Sequence, residues 1–228
     1  MEKNTTSEEA QQVMRQLVSV WADFQSRLLT VPIIKRVMDG RIRLEDYQQI
    51  LINHRQQVIE GSRWITLAAS SITHEHADLR SRFIKHATTE HRDYLMLEDN
   101  FQATGGILAE IHSAEKNIGS EALSAWMFYR ASQSNPFDLI GAMFIIEGLG
   151  KHFAGLFAQR IREALTLNED QISFYTYHAQ HDQEHLDEIS LILDSGILSM
   201  ECLADRIIKT ARVTARLYVL QWEEIGNF

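Results

Sequence analysis

Residues 177–188 read YHAQHDQEHLDE and contain three histidines and four acidic residues. If this stretch is helical, His178, Asp182 and His185 fall at positions i, i+4 and i+7 and share one face. Two imidazoles and a carboxylate on one face suit a transition metal such as iron, whereas calcium and magnesium prefer oxygen ligands throughout. The alternative is a solvated acidic helix whose histidines have no common role. Three metal-binding side chains in register favour the metal interpretation.

A second polar stripe with the same spacing lies earlier in the chain. His86, Glu90 and Asp93 also occupy positions i, i+4 and i+7 of a predicted helix. His91 and Glu98 point away from this stripe, so we expect both at the surface. Two helices therefore carry matching polar stripes.

Glu147 lies in the apolar segment LIGAMFIIEGLG, residues 139–150. An unpaired carboxylate in such surroundings is costly, so Glu147 must be neutralised, paired or bound to a metal. The purely structural alternative is a salt bridge to Arg55 or Arg130 of a neighbouring helix. The glycines of this segment lower helix stability, which indicates close approach by another backbone or a ligand.

Taken together, these patterns give six candidate ligands on three helices. Helix bundles build inward-facing cages of carboxylates and imidazoles of this kind for two metal ions. The candidate ligands are Glu90, Asp93, Glu147, His178, Asp182 and His185. The other histidines, including His54, are expected to have ordinary structural or surface roles, with His152 the one most suited to support a ligand.

The composition predicts an all-α chain. Two prolines and eleven glycines in 228 residues are too few turn-forming residues for a protein of many strands. We expect one domain over residues 1–228, a compact bundle of seven to nine helices. Periodicity and capping signals predict helices over 7–29, 32–39, 44–70, 75–104, 107–118, 120–131, 137–165, 168–193 and 199–225.

Charge and apolar content limit the partners. A net charge of −9 without a basic stripe disfavours nucleic acid. Residues 1–10 lack the apolar core of a signal peptide, and the longest apolar runs are too short to span a bilayer. We therefore expect a soluble cytoplasmic protein that does not bind membranes. The apolar stripe of the last helix, with Leu203, Ile207 and Leu217, fits either a homodimer contact or the core of the chain itself.

The single cysteine, Cys202, excludes an internal disulfide and fits a reducing compartment. It lies in an apolar helical pattern. We therefore expect a small core residue rather than a catalytic nucleophile.

The order of these motifs resembles the haem-oxygenase-like di-iron oxidase family. An acid in the third long helix precedes a glutamate in an apolar, glycine-containing segment, and a His-x3-Asp-x2-His motif follows. The resemblance covers residues 44–193 and extends to a superfamily with thiaminase-like proteins and pyrroloquinoline-quinone synthase. It implies a haem-oxygenase-like helical fold with metal ligands at Glu90, Glu147, His178, Asp182 and His185. Many members have histidine at the position of Asp93, so either Asp93 supplies a carboxylate or His86 supplies the imidazole.

The resemblance also implies an activity. Members use non-haem Fe(II), here expected as two ions per chain with manganese as an alternative, to activate dioxygen and oxidise substrates such as fatty acids, amino acids or amines. No histidine precedes His54, whereas a haem oxygenase needs a proximal histidine near the start of its first helix, so no haem is expected. Tyr175 and Tyr177, close to His178, are candidates to donate a hydrogen bond or an electron to the site.

Two other interpretations remain at this point. A metal-free, thiaminase-like or quinone-synthase-like protein would bind a small organic ligand in the bundle cavity, although Cys202 lies too late in the chain for the thiaminase nucleophile. A purely structural or interaction module would pair Glu147 in a salt bridge and have no cavity. In the di-iron interpretation, the side chains expected to line the site and keep it dry are Tyr94, Met143, Phe144, Ile146, Phe153 and Phe174.

Overall fold

The computed structural model describes residues 7–226, so residues 1–6 of the polar N-terminal segment lie outside the described residues. The described chain is helical and has no β-strand between residues 7 and 226. Its α-helices are α1 (Glu8–Leu28), α2 (Pro32–Met38), α3 (Leu44–Val58), α4 (Gly61–Ser71), α5 (Ala77–Glu90), α6 (Tyr94–Ala103), α7 (Leu108–Ser113), α8 (Ile118–Ala131), α9 (Leu139–Leu149), α10 (Gly155–Leu165), α11 (Ser173–Leu193) and α12 (Leu203–Glu223).

Three of the predicted long helices are interrupted. The predicted helix 44–70 breaks at Ile59 and Glu60, and the predicted helix 75–104 breaks at residues 91–93. The predicted helix 137–165 continues through a π-helical turn, Gly150–Ala154. When each interrupted pair is counted as one, the described residues form nine helices, and the predicted all-α bundle is confirmed.

Local sequence explains where several helices begin. The Ser7 side chain accepts a hydrogen bond from the Ala10 backbone N–H at 3.1 Å, and Pro32 is the first residue of α2. The Asn117 side chain caps α8 by accepting a hydrogen bond from Ser120 N–H at 2.8 Å. Because α8 begins at Ile118, the predicted helix over 107–118 shortens to α7.

The apolar helix α9 lies inside the bundle and packs against α12, α11 and α1. A Cβ atom at Gly141 would lie 2.1 Å from the Ile207 carbonyl oxygen, so only glycine permits this approach of α12. Leu203 and Ile207 of α12 are buried in the core of the chain, while Leu217 is half-buried. Homodimerisation through α12 stays a prediction.

The expectation that Cys202 is a core residue is wrong. Its side chain is exposed. Cys202 precedes the first turn of α12 with a left-handed backbone (φ 57°) and therefore lies outside the buried stripe of that helix.

The helical run Leu139–Leu165 has the length and mean hydropathy of a membrane-crossing helix. Residues 150–154 keep the chain helical between α9 and α10, as the predicted helix over 137–165 requires. Of its most apolar window, 67% is buried inside the bundle, and a core helix of a soluble protein meets the same criteria. Glu147 lies in the buried part of this run, whereas Glu163 near its end is exposed.

Candidate metal centre

Seven ligating side chains converge between α5, α9, α11 and the turn that follows α5. They form three groups in which one nitrogen or oxygen atom from each residue lies within 4.8 Å of the others. The groups are His86, Glu90 and His185; Glu90, Asp93 and His178; and Glu147, Asp182 and His185. All six ligands predicted from the sequence are included, together with the alternative ligand His86.

Glu147 is buried as deeply as Asp182, with 4% of its surface exposed. Its Oε1 lies 3.1 Å from Nε2 of His86, and its Oε2 lies 2.9 Å from Nδ1 of His185. The two imidazole rings are 4.4 Å apart between centroids. Glu147 therefore links an imidazole of α5 to an imidazole of α11.

The arginines considered as partners of Glu147 have other partners. Arg55 donates to Glu98 at 2.7 Å, and Arg130 donates to Asp138 at 2.8 Å. Neither arginine therefore pairs with Glu147, whose partners are His86 and His185. The expectation that Glu98 lies at the surface is wrong, because the break at residues 91–93 changes the register of α6 relative to α5 and turns Glu98 inwards.

His178 is held by one nitrogen and free at the other. Its Nδ1 lies 2.9 Å from Oδ1 of Asp182, one turn along α11. Its Nε2 is buried without a hydrogen-bond partner, at 3.5 Å from Oδ2 of Asp93. A carboxylate on one imidazole nitrogen orients the other towards a metal ion. This unpartnered buried nitrogen fits the donor set of a transition-metal site.

The choice between Asp93 and His86 does not arise in the folded chain, because both side chains are buried in the cluster. His86 lies one turn before Glu90 on α5, and the turn at residues 91–93 brings Asp93 beside His178. Glu90 belongs to the group that contains His86 and to the group that contains Asp93. His86 thus places an imidazole in the cluster, and Asp93 places a carboxylate there.

Gly150 permits the close approach of Asp182 to the Glu147-bearing helix. A Cβ atom at position 150 would lie 1.6 Å from Oδ2 of Asp182. The π-helical turn begins at the same residue, and such turns are frequent at functional sites. The interpretation of this glycine as a point of close approach is confirmed.

The acids of the cluster hold their protons more tightly than isolated carboxyl groups. Burial, together with the negative charges of Glu147, Asp93 and Asp182, raises the pKa of Glu90 well above its usual range. Burial also raises the pKa values of Asp93 and Asp182, although the nearby His178 opposes both shifts. Burial is the main cause of these pKa shifts and the like charges add to it, whereas a bound cation would oppose them.

Glu147 is the exception among these acids. Burial opposes its ionisation, but hydrogen bonds from His185 and His86 outweigh burial and lower its pKa to about 2. Burial likewise opposes protonation of His178, but the hydrogen bond to Asp182 and the negative charges of Asp182, Asp93 and Glu147 together outweigh burial and raise the pKa of that imidazole. The cluster thus combines one firmly ionised carboxylate with acids that compete for protons.

The three residues proposed to support the ligands lie in different surroundings. His152 is exposed, and its ring lies 5.8 Å from that of Trp21. Tyr177 is exposed, and its ring meets that of His178 edge-on at 5.4 Å. The buried Tyr175 places its hydroxyl 3.1 Å from Nδ1 of His54.

An apolar cavity adjoins the cluster on its inner side. His86, Glu90, Glu147, His178 and Asp182 line one end of the cavity. Its walls include Val58, Trp64, Ile65, Met143, Ile146, Phe153, Phe157, Phe174 and Trp222. Of the lining predicted from the sequence, Phe144 and Tyr94 are not among the cavity residues. Within the described chain, no lysine or arginine lines it.

The uncharged polar end of the cavity is organised around His54, for which local sequence patterns indicate only an ordinary structural or surface role. Its Nδ1 and Nε2 each lie 3.1 Å from a tyrosine hydroxyl, of Tyr175 and Tyr218 respectively. The Tyr218 hydroxyl is 3.0 Å from Oε1 of Gln57. Burial lowers the pKa of His54 to about 3, so the imidazole is neutral. This end of the cavity is therefore polar but uncharged.

Comparison with known proteins agrees with this architecture. The family model of iron-containing redox enzymes matches residues 75–219, which is more than half of the chain and includes all seven clustered side chains. No curated protein sequence matches the chain.

Solved structures share the fold at low sequence identity. A heme oxygenase-like domain of unknown function from Shewanella denitrificans OS217 has a TM-score of 0.85 at 17% identity over 94% of this chain and 90% of that chain. A TenA homologue from Pseudomonas syringae pv. tomato DC3000 has a TM-score of 0.79 at 15% identity over 100% and 96%. A TenA homologue from Pyrococcus furiosus has a TM-score of 0.71 at 16% identity over 94% and 98%.

Proposed function

The chain belongs to the iron-containing redox enzyme family, and on that premise we propose that it is a non-haem di-iron oxidase. It would use dioxygen to oxidise a small organic substrate. The observation that carries the proposal is the buried Nε2 of His178, which lacks a hydrogen-bond partner and faces Asp93 within a cluster of three imidazoles and four carboxylates.

The grouping of the side chains supports two ions rather than one. Glu90 and His185 each belong to two of the three groups. Because a carboxylate can bind two ions through its two oxygens, we assign Glu90 as the residue shared between two metal positions. His178 and Asp93 would complete one position, while His86 and His185 would complete the other. The four carboxylates carry the negative charge that two divalent cations neutralise. Manganese accepts similar nitrogen and oxygen donors and is the alternative ion.

Bound ferrous iron would supply the reducing equivalents and the Lewis acidity for reaction with dioxygen. The chain's own residues have other tasks. Asp182 orients His178, and Glu147 orients His86 and His185. The aromatic cavity walls exclude water and hold the substrate beside the cluster.

The cavity also restricts the substrate. Because no lysine or arginine lines it and His54 is neutral, a charged group deep in the cavity would lack a partner. The substrate would therefore carry its polar group towards the cluster and an uncharged remainder along the aromatic and aliphatic walls. A fatty acid or a hydrophobic amine meets this condition better than a free amino acid with charges along its length.

A metal-free protein that binds an organic ligand in the same cavity is the second candidate. Both oxygens of Glu147 already have imidazole partners, so this carboxylate is satisfied without a cation. The TenA homologues with the same fold show that this bundle also occurs outside proteins described as iron-containing. The two candidates differ in one measurable result: only the di-iron oxidase should lose bound iron when a single ligand is replaced.

Iron content of purified variants tests the proposal. We expect Glu147→Ala and His178→Ala to bind less than half of the iron of the parent after anaerobic loading. His181→Ala is the matched control, because His181 lies on the same helix but is exposed and hydrogen-bonds to the Tyr177 carbonyl oxygen. If circular dichroism shows that Glu147→Ala and His178→Ala are folded and both bind as much iron as the control, the proposed metal centre is contradicted.

A further inference from the structure

The clustered side chains differ in their access to solvent. Glu90, which lines the apolar cavity, and His185, which does not, have 19% and 16% of their side chains exposed, whereas Glu147 has 5%. Asp182 is also only 5% exposed. The cluster therefore has an inner face, towards the apolar cavity, and an outer face that reaches the surface.

The outer face lies at the floor of a polar groove between α5 and α11. The groove is lined from α5 by Arg82, Lys85, His86 and Thr89, and from α11 by Glu184, His185, Asp187, Glu188 and Leu191. His86 lines both this groove and the inner cavity. A path lined by polar and charged side chains thus connects bulk solvent with two imidazoles of the cluster.

The two openings suit different solutes. The inner cavity has aromatic and aliphatic walls, where a hydrated divalent cation would lose its water without compensation. The groove instead carries three carboxylates on its α11 rim, Glu184, Asp187 and Glu188, which outnumber the two basic side chains on its α5 rim, Arg82 and Lys85. This excess of negative charge favours a cation near the imidazoles at its floor. Charge and polarity therefore separate a route for ions from a route for an apolar substrate.

One ion pair spans this groove. Nη1 of Arg82 on α5 lies 3.2 Å from Oε1 of Glu188 on α11. The Arg82 side chain is 40% exposed, while that of Glu188 is 18% exposed. The pair joins the two helices that supply His86 and His185. The Arg82 guanidinium therefore lines the path that an incoming metal ion would follow.

We infer that the groove is the route by which ferrous ions enter and leave the cluster, and that the Arg82–Glu188 ion pair slows their exchange. The inference rests on the proposed function, because it assigns a path and a control to the same metal centre. It concerns the rate of loading and release, whereas the proposed function concerns whether iron binds and how much.

Release of iron to a ferrous chelator tests the route. The parent, Arg82→Ala and Arg160→Ala are loaded anaerobically, and chelator absorbance is followed over time. Arg82→Ala is expected to release iron about threefold faster at unchanged stoichiometry, as loss of a surface ion pair allows. Arg160→Ala is the control, because it removes the same charge from a surface pair with Glu163 outside the groove and should release iron like the parent.

A variant that narrows the groove provides the opposite test. Thr89→Trp places a large ring in the groove and should slow both uptake and release, whereas Thr88→Trp should not. The two threonines are exposed neighbours, and each donates a hydrogen bond to a carbonyl oxygen of α5. Equal rates in the parent, Arg82→Ala and Thr89→Trp, at full iron content, would overturn the route alone. Absence of iron from the parent would overturn the metal centre and the route together.

Discussion

The Nδ1–H group of His178 donates a hydrogen bond to Oδ1 of Asp182 at 2.9 Å. The other ring nitrogen, Nε2, is buried beside Asp93 without a hydrogen-bond partner. His178 and Asp182 are one turn apart on α11, so the helix itself fixes their relative position. The structure thereby presents an oriented nitrogen towards carboxylates of α5 and the turn that follows it. This relationship underlies the metal centre and the first prediction.

Asp182→Asn should weaken metal binding without removing a large part of the core. The amide does not stabilise the orientation of His178 as the carboxylate does, so we expect about a 10- to 100-fold loss of affinity for Fe(II). Competition with a chelator of known affinity measures this change. Asp99→Asn, an exposed change of the same kind on α6, should bind iron like the parent.

Gly150→Ala should damage both folding and metal binding. The new methyl group would occupy the position of the Asp182 carboxylate, so we expect a loss of about 1–3 kcal/mol in the free energy of unfolding and a lower iron content. Gly155→Ala is the matched control, since its Cβ would meet only the Ala179 side chain at 3.4 Å. Urea denaturation of both variants measures the difference, and equal stability of the two would contradict the close approach at Gly150.

The neutral His54 predicts a pH dependence of stability in the metal-free protein. Its folded pKa of about 3 lies below the unfolded value of about 6.5, so the unfolded state binds the extra proton between these pH values. The contribution of neutral His54 to the free energy of unfolding is therefore largest above pH 6.5 and is lost as the pH falls towards 3.

Between pH 6.5 and pH 5, the parent should therefore lose about 2 kcal/mol more stability than His54→Gln. Denaturant titrations at both pH values, with His181→Gln as the exposed-histidine control, measure the difference. Identical losses in the parent and His54→Gln would show that His54 is not held neutral in the folded chain.

The sequence alone predicts the helical bundle and much of the cluster, because these depend on local spacing. Apolar periodicity gives α1 and α11 to within a few residues, and the i, i+4, i+7 spacing places His178, Asp182 and His185 on one face. Composition around Glu147 shows its burial in the same way.

Features that depend on distant residues are not visible in local patterns. The break at residues 91–93 contains neither proline nor glycine, yet it brings Asp93 into the cluster and turns Glu98 towards Arg55. Likewise, the tyrosine partners of His54 lie 121 and 164 residues away in the chain. The polar end of the cavity could therefore be found only from the fold.

Anaerobic titration of metal-free protein with Fe(II), followed by exposure to oxygen, distinguishes a di-iron centre from a metal-free cavity. We expect saturation at about two ferrous ions per chain and a change in visible absorption that requires oxygen. Saturation at a single ion would contradict the shared role of Glu90. No binding at all would contradict the metal centre and leave the apolar cavity as a site for an organic ligand.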